Sequence, residues 1–238
     1  MAQRRLGLPL SVLSGIDYSS ALGREVDELG DTFLTYHNHS QRHNGVAKVL
    51  ARAARQALNR PVRVDSYESE SFSPGARPDV AIIRGAYDRS HHLLLEVKVV
   101  CPISSNPDAT GEAGAYAGFA NTAPELRRGI LGGEAVNGRE AKAAKYEAAM
   151  RANHTVTPCI FEVFGGFEES ACDLLNEWAK RARGKTPPGE EPPWSARNFV
   201  PYWSQIISKE AQRGAAEEIL SRVREESGAR EHARARGE

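Results

Sequence analysis

Residues 77–100 read RPDVAIIRGAYDRSHHLLLEVKVV. Two short runs rich in β-branched and aliphatic residues flank a polar segment, AYDRS, which is the signature of a β-hairpin. Both runs carry charges that a buried strand normally avoids. Asp79 stands at the mouth of the first, and Glu96 and Lys98 stand inside the second. Strand side chains alternate between faces, so Leu94, Glu96, Lys98 and Val100 point one way and Leu93, Leu95, Val97 and Val99 the other. A buried charge is costly unless it is paired or binds a metal, so the same-face Glu96 and Lys98 mark this hairpin as the place to look for chemistry.

The bulk properties bound the rest. With 238 residues, 40% of them hydrophobic, the chain can bury a substantial core as one domain with extensions. Thirty-one basic residues balance 31 acidic ones, so a nucleic-acid partner has to be met by a local patch rather than a global field. Three cysteines, Cys101, Cys159 and Cys172, lack CxxC spacing, which argues against a disulfide framework and a cysteine zinc site and fits an intracellular location. No apolar run approaches the roughly 20 residues of a membrane span, and the start of the sequence is a poor match to a signal peptide.

Upstream, Val26, Leu29 and Phe33, and then Val46, Val49, Leu50 and Leu58, recur at three and four, predicting helix from Gly23 to about Leu58 with a polar break. The break contains His37, His39 and His43. Their spacing suits one helix face, but no cysteine or fourth ligand stands nearby to complete a zinc site. The run PVRVDSYESES alternates as a strand and brings Glu68 and Glu70 up to the hairpin. Downstream, residues 101–138 are rich in Gly, Ala, Ser, Asn and Pro, a length and composition expected of a lid or an insertion. Asn137 and Glu140 are spaced as a capping box opening a helix that carries Lys142 and Tyr146 four apart. TPCIFEVFGG then predicts a strand, and EESACDLLNEWAKRAR a helix with Ala171, Leu174, Leu175 and Trp178 inward. The boundaries expected are an N-terminal extension over 1–22, a main domain over 23–183, a Pro-rich linker over 184–193, a C-terminal helix over 194–228 and a frayed charged tail over 229–238. The resulting order is helix, three strands, helix, strand, which makes an α/β fold with a mixed sheet.

That order, with Pro78 and Asp79 followed by Glu96, Val97 and Lys98, resembles the PD-(D/E)XK nuclease superfamily. Closer still, the sequence resembles the restriction-like endonuclease domain of non-LTR retrotransposon proteins. The matching residues are Arg42, His43 and Asn44 opening a helix, Arg77, Pro78 and Asp79 before the acidic strand, Glu96 and Lys98 on it, and Lys142 with Tyr146 beyond it. Two departures stand out: neither the cysteine-bearing zinc knuckle those elements place upstream nor a reverse transcriptase is in this sequence. The resemblance implies a restriction-endonuclease-like αβββαβ core around a central mixed four-stranded sheet, with helical additions at both ends. It further implies an endonuclease that hydrolyses DNA with Mg²⁺ or Mn²⁺. In that scheme Asp79, Glu96 and the main-chain carbonyl of Val97 hold the metal, with Glu68 or Glu70 as an additional ligand. Lys98 completes the catalytic set, while Lys142, Tyr146, Arg42, His43, Asn44 and Arg77 contact phosphate or DNA. A mobile-element origin in a eukaryote would place the protein in the nucleus. A homodimer is left open, and the second expectation is a catalytically silent nucleic-acid-binding or assembly module with the same fold.

Overall fold

The computed structural model describes residues 10–19, 22–34, 40–64, 77–83, 91–101, 123–124, 126–127, 130–131 and 143–236. In chain order they form the short strands β1 (Tyr18–Ser19) and β2 (Arg24–Glu25), the turn of helix α1 (Asp31–Leu34) and the long helix α2 (Ser40–Leu58). Strands β3 (Val62–Val64), β4 (Val80–Ile82) and β5 (Leu93–Val100) follow, then α3 (Ala143–Arg151), β6 (Thr155–Glu162), α4 (Glu169–Arg183), α5 (Trp194–Arg197) and α6 (Phe199–Arg236). The strand proposed for 62–70 is described only to Val64. Glu68, Glu70, His37, His39, Lys142, the Asn137 and Glu140 cap and most of the 101–138 segment lie outside the described residues.

The main sheet has the order β3-β4-β5-β6. β4 pairs antiparallel with both β3 and β5, whereas β5 and β6 run parallel in register from Leu93 opposite Thr155 to Val100 opposite Glu162. The fold is therefore mixed α/β with a mixed four-stranded sheet, as the element order predicts. Alternation along β5 divides the interior. Leu93, Leu95, Val97 and Val99 enter a large core shared with α2, α4 and α6. On the opposite face Leu94 packs with Ala81, Tyr146 and Ala149 under α3, and Val100 packs against Ile160, Ala123 and Ile130. Ala171, Leu174, Leu175 and Trp178 of α4 are buried as their spacing requires.

Helix α6 braces this core. Phe199, Trp203, Ile207, Ala211, Ala215 and Ile219 are all buried at intervals of four. At 3.6 residues per turn each step of four advances the stripe about 40° around the helix, so the buried surface winds across successive partners. Trp203 Nε1 donates to Gln56 at 3.0 Å near the end of α2, and further along Gly214 lies against Arg42 near its start, so the two helices run antiparallel. A β-carbon on Gly214 would fall inside the Arg42 backbone, so only glycine lets the helices approach this closely. Beyond, Ile219 and Leu10 both lie against Gly30, Ser19 Oγ donates to the Glu226 carboxylate, and Arg230 donates to the carbonyls of Gly15 and Tyr18.

Two expectations are corrected here. Residues 23–30 are not helical: Gly23 and Gly30 take φ of 65° and 76°, and the Asp27 carboxylate accepts the N–H groups of Leu29, Asp31 and Thr32. A side chain that collects three backbone donors builds a turn in place of a helix. The tail over 229–238 is helical through Arg236, because Arg230 is anchored on the N-terminal segment. Leu10, Leu13 and Ile16 of that segment belong to the main core.

Candidate functional site

Strand β4 begins at Val80, which lies opposite Leu95. Continuing that register by one residue sets Asp79 opposite Glu96, and opposed residues of an antiparallel pair face the same side. Pro78, lacking an N–H, marks the place where the ladder stops. Asp79 takes over the vacated position: its Oδ2 accepts the Val97 N–H at 2.6 Å. The N–H and C=O of one strand residue point to the same side, so the Val97 carbonyl is also directed to the edge that Asp79 occupies. Asp79 is 8% exposed.

His43, in the first turn of α2, closes the other side. Its Nε2 lies 3.2 Å from Asp79 Oδ2, and its Nδ1 lies 3.0 Å from Asn44 Oδ1. Both ring nitrogens thus face oxygens, which favours the doubly protonated imidazolium. The hydrogen bond to Asp79 raises the His43 pKa above its ordinary value; burial and the charge of Lys98 oppose the rise.

Glu96 is 1% exposed and is held from two directions. Lys98 Nζ, two residues along the same face, stands 3.2 Å from Oε1, and the Tyr146 hydroxyl of α3 donates to Oε2 at 2.5 Å. Tyr146 is buried, and that burial together with the charge of Glu96 drives its pKa far upward, so the phenol stays a donor. The Lys98 side chain keeps 26% exposure, and that of His43 21%. The cluster therefore opens to solvent through its cations.

The structure thus brings Asp79, Glu96, Val97, Lys98, Tyr146 and His43 together. Asn44 and Arg77 are exposed beside them. Arg42 departs from its expected role. It is fully buried; Nη2 donates to the Leu34 carbonyl at 2.9 Å and Nε lies 3.4 Å from the Glu218 carboxylate, so it ties α2 to α6 instead of facing a phosphate. The contact of His43 with Asp79 was signalled only by the presence of a histidine at a helix start, since the two are far apart in sequence.

Among the described residues no group of three or more His, Cys, Asp and Glu side chains is set to hold a metal ion. The set offered here is different, comprising two carboxylates and a main-chain oxygen. Such hard oxygen donors suit Mg²⁺, which keeps several waters and needs few protein ligands. Among the described residues no helix is long and apolar enough to cross a membrane. No family model matches this sequence, and no curated protein shows a significant match to it.

Proposed function

We propose that the protein is a metal-dependent endonuclease that hydrolyses DNA phosphodiester bonds, of the restriction-like kind carried by non-LTR retrotransposon proteins. One observation carries this reading. Asp79 is anchored on the Val97 N–H just before β4 begins, opposite Glu96 and beside Lys98, so two buried carboxylates and a lysine meet at the end of the β4–β5 ladder.

In this reading Asp79, Glu96 and the Val97 carbonyl hold Mg²⁺ or Mn²⁺. The ion lowers the pKa of water and offsets negative charge on the reacting phosphate. Lys98 would orient the attacking water or stabilise the phosphorane oxygens. Tyr146 keeps Glu96 in one orientation from below, and His43 does the same for Asp79. Asn44 and Arg77 are the exposed residues placed to meet the DNA backbone.

Supercoiled plasmid incubated with the protein and Mg²⁺ is expected to be nicked, and Asp79→Ala and Lys98→Ala are expected to remove the nicking while circular dichroism stays native. Equal background cleavage by all three proteins sinks the proposal. A second reading, a catalytically silent nucleic-acid-binding or assembly module, is favoured by the engagement of Glu96 by both Tyr146 and Lys98. In that case the plasmid stays intact in every metal tested.

A further inference from the structure

Away from this site, at the other end of α2, lies a group of cations with a different environment. Gln56 is its hub: Gln56 Nε2 donates to Ser195 Oγ at 2.8 Å, its side-chain oxygen accepts from Trp203, and its carbonyl accepts from Lys185 Nζ at 3.2 Å. These bonds gather the end of α2, the segment after α4 and α5 at one place. Arg183 Nη2 donates to the Arg197 carbonyl at 3.1 Å, and Arg55 Nη2 donates to the Val62 carbonyl at 2.9 Å. The Lys185 ammonium is held below its ordinary pKa by partial burial and by the neighbouring charge of Arg60.

Arg55, Arg60, Arg183 and Lys185 are exposed, and among the described residues none of them is within ion-pair distance of a carboxylate. Among the described residues Lys48, Arg52, Arg63, Lys209 and Arg224 are likewise exposed without an ion pair, while other surface cations are paired. Arg213 is paired with Glu210 and Glu217, Arg222 with Glu225 and Arg151 with Glu147. Among the described residues, Glu177 binds Lys180 and Arg181, Glu191 binds Arg197, and Glu190 is exposed. In a chain of zero net charge, four like charges left together against mutual repulsion form a local positive field.

Trp194 opens α5 next to Ser195, the residue that Gln56 bonds. It is 53% exposed, the largest such fraction among the large hydrophobic residues described. The ring of Tyr202 meets it nearly at right angles with centroids 5.3 Å apart, and the Pro-rich segment before it stiffens the approach. An indole fixed by its neighbours and open to solvent is a stacking surface, and cations around it suit a phosphate chain.

We propose that Trp194, with Arg55, Arg60, Arg183 and Lys185, forms a binding platform for single-stranded nucleic acid, with the indole stacked on an unpaired base and the cations on flanking phosphates. A duplex keeps its base faces covered, so only a single strand uses both features. The platform is separate from the Asp79 site and does not depend on cleavage there.

The test is fluorescence anisotropy of a labelled oligo(dT) of roughly 16 nucleotides, with full-length protein in EDTA, over a range of salt concentrations. Wild type is expected to bind with an affinity that falls as salt rises. Arg60→Gln and Lys185→Gln should each flatten the slope of log K against log salt by about 0.7. Trp194→Ala should weaken binding roughly 5- to 150-fold and Trp194→Phe much less, as loss of one stacking contact requires. Thermal melts check that each variant is folded, and the two surface Gln variants test the site even if Trp194→Ala is unstable. Oligonucleotide binding that is unchanged in all the variants overturns the proposal. So does binding to phosphatidylserine vesicles, with a blue shift lost in Trp194→Phe, in place of binding to the oligonucleotide.

Discussion

Arg42 and His43 are neighbours in sequence and belong to two different kinds of charged cluster. Arg42 is closed off between α2 and α6, with the Glu218 carboxylate and the Leu34 carbonyl as partners and no exposure to solvent. His43 joins Asp79 at the end of the sheet, in a cluster whose cations, His43 and Lys98, both reach water. The difference separates a charge that holds helices together from charges that can change partners. A closed pair has no route by which another cation could enter. In the open cluster, Lys98 can leave Glu96 for solvent without unfolding anything.

The most forceful way to break this contrast is to remove the cation of the closed pair. Arg42→Met takes from the buried Glu218 carboxylate its largest charge partner, which should cost about 3–5 kcal/mol and lower Tm by roughly 10 °C. Adding Glu218→Leu should restore most of it, since a buried pair is often replaceable by apolar residues. Calorimetry of the single and double variants checks both outcomes, and a double variant no better than the single one would show that the pair is not closed in the sense argued.

A smaller effect is expected in the open cluster. Tyr146→Phe takes one hydrogen bond from Glu96 but leaves it paired with Lys98, so the loss should be about 1–3 kcal/mol, read from urea unfolding. If it equals that of Arg42→Met, the two clusters do not differ.

The smallest effect sharpens the comparison through pH. The His43 pKa is raised in the fold, so protonated His43 binds Asp79 better in the folded than in the unfolded chain. That stabilisation is complete below the ordinary histidine value of about 6.5 and is lost as pH rises through the higher folded value. In EDTA, wild type should therefore exceed His43→Gln in urea midpoint at mildly acid pH and converge with it at alkaline pH. A gap that stays constant across the range would remove His43 from the set of groups that change partners.

What the sequence discloses follows from how local each cause is. The alternation of β5, the place of Asp79 at the mouth of the preceding strand and the apolar stripe of α4 are all written within a few residues, and all appear where the pattern puts them. Local spacing misleads around Val26, Leu29 and Phe33, where helix-like intervals are overridden by the positive φ of Gly23 and Gly30 and by the Asp27 side chain. The burial of Arg42 depends on Glu218, 176 positions away, and on Gly214 making room, neither of which a local window can register. The pairing of His43 with Asp79 is hidden for the same reason. The residues that make up the proposed site were readable; which of them lock one another in place was not.

The long reach of α6 carries a consequence for how the chain acquires its fold. Ser19 and Glu226, which bond across the N-terminal segment, are 207 positions apart. At a synthesis rate of 5–20 residues per second, roughly 10–40 s separate the two during translation. Throughout that interval Leu10, Leu13, Ile16 and the β1–β2 hairpin lack the helix that covers them. The sheet and α2 can assemble while α6 is still being made, but the N-terminal segment docks last, although it emerges first.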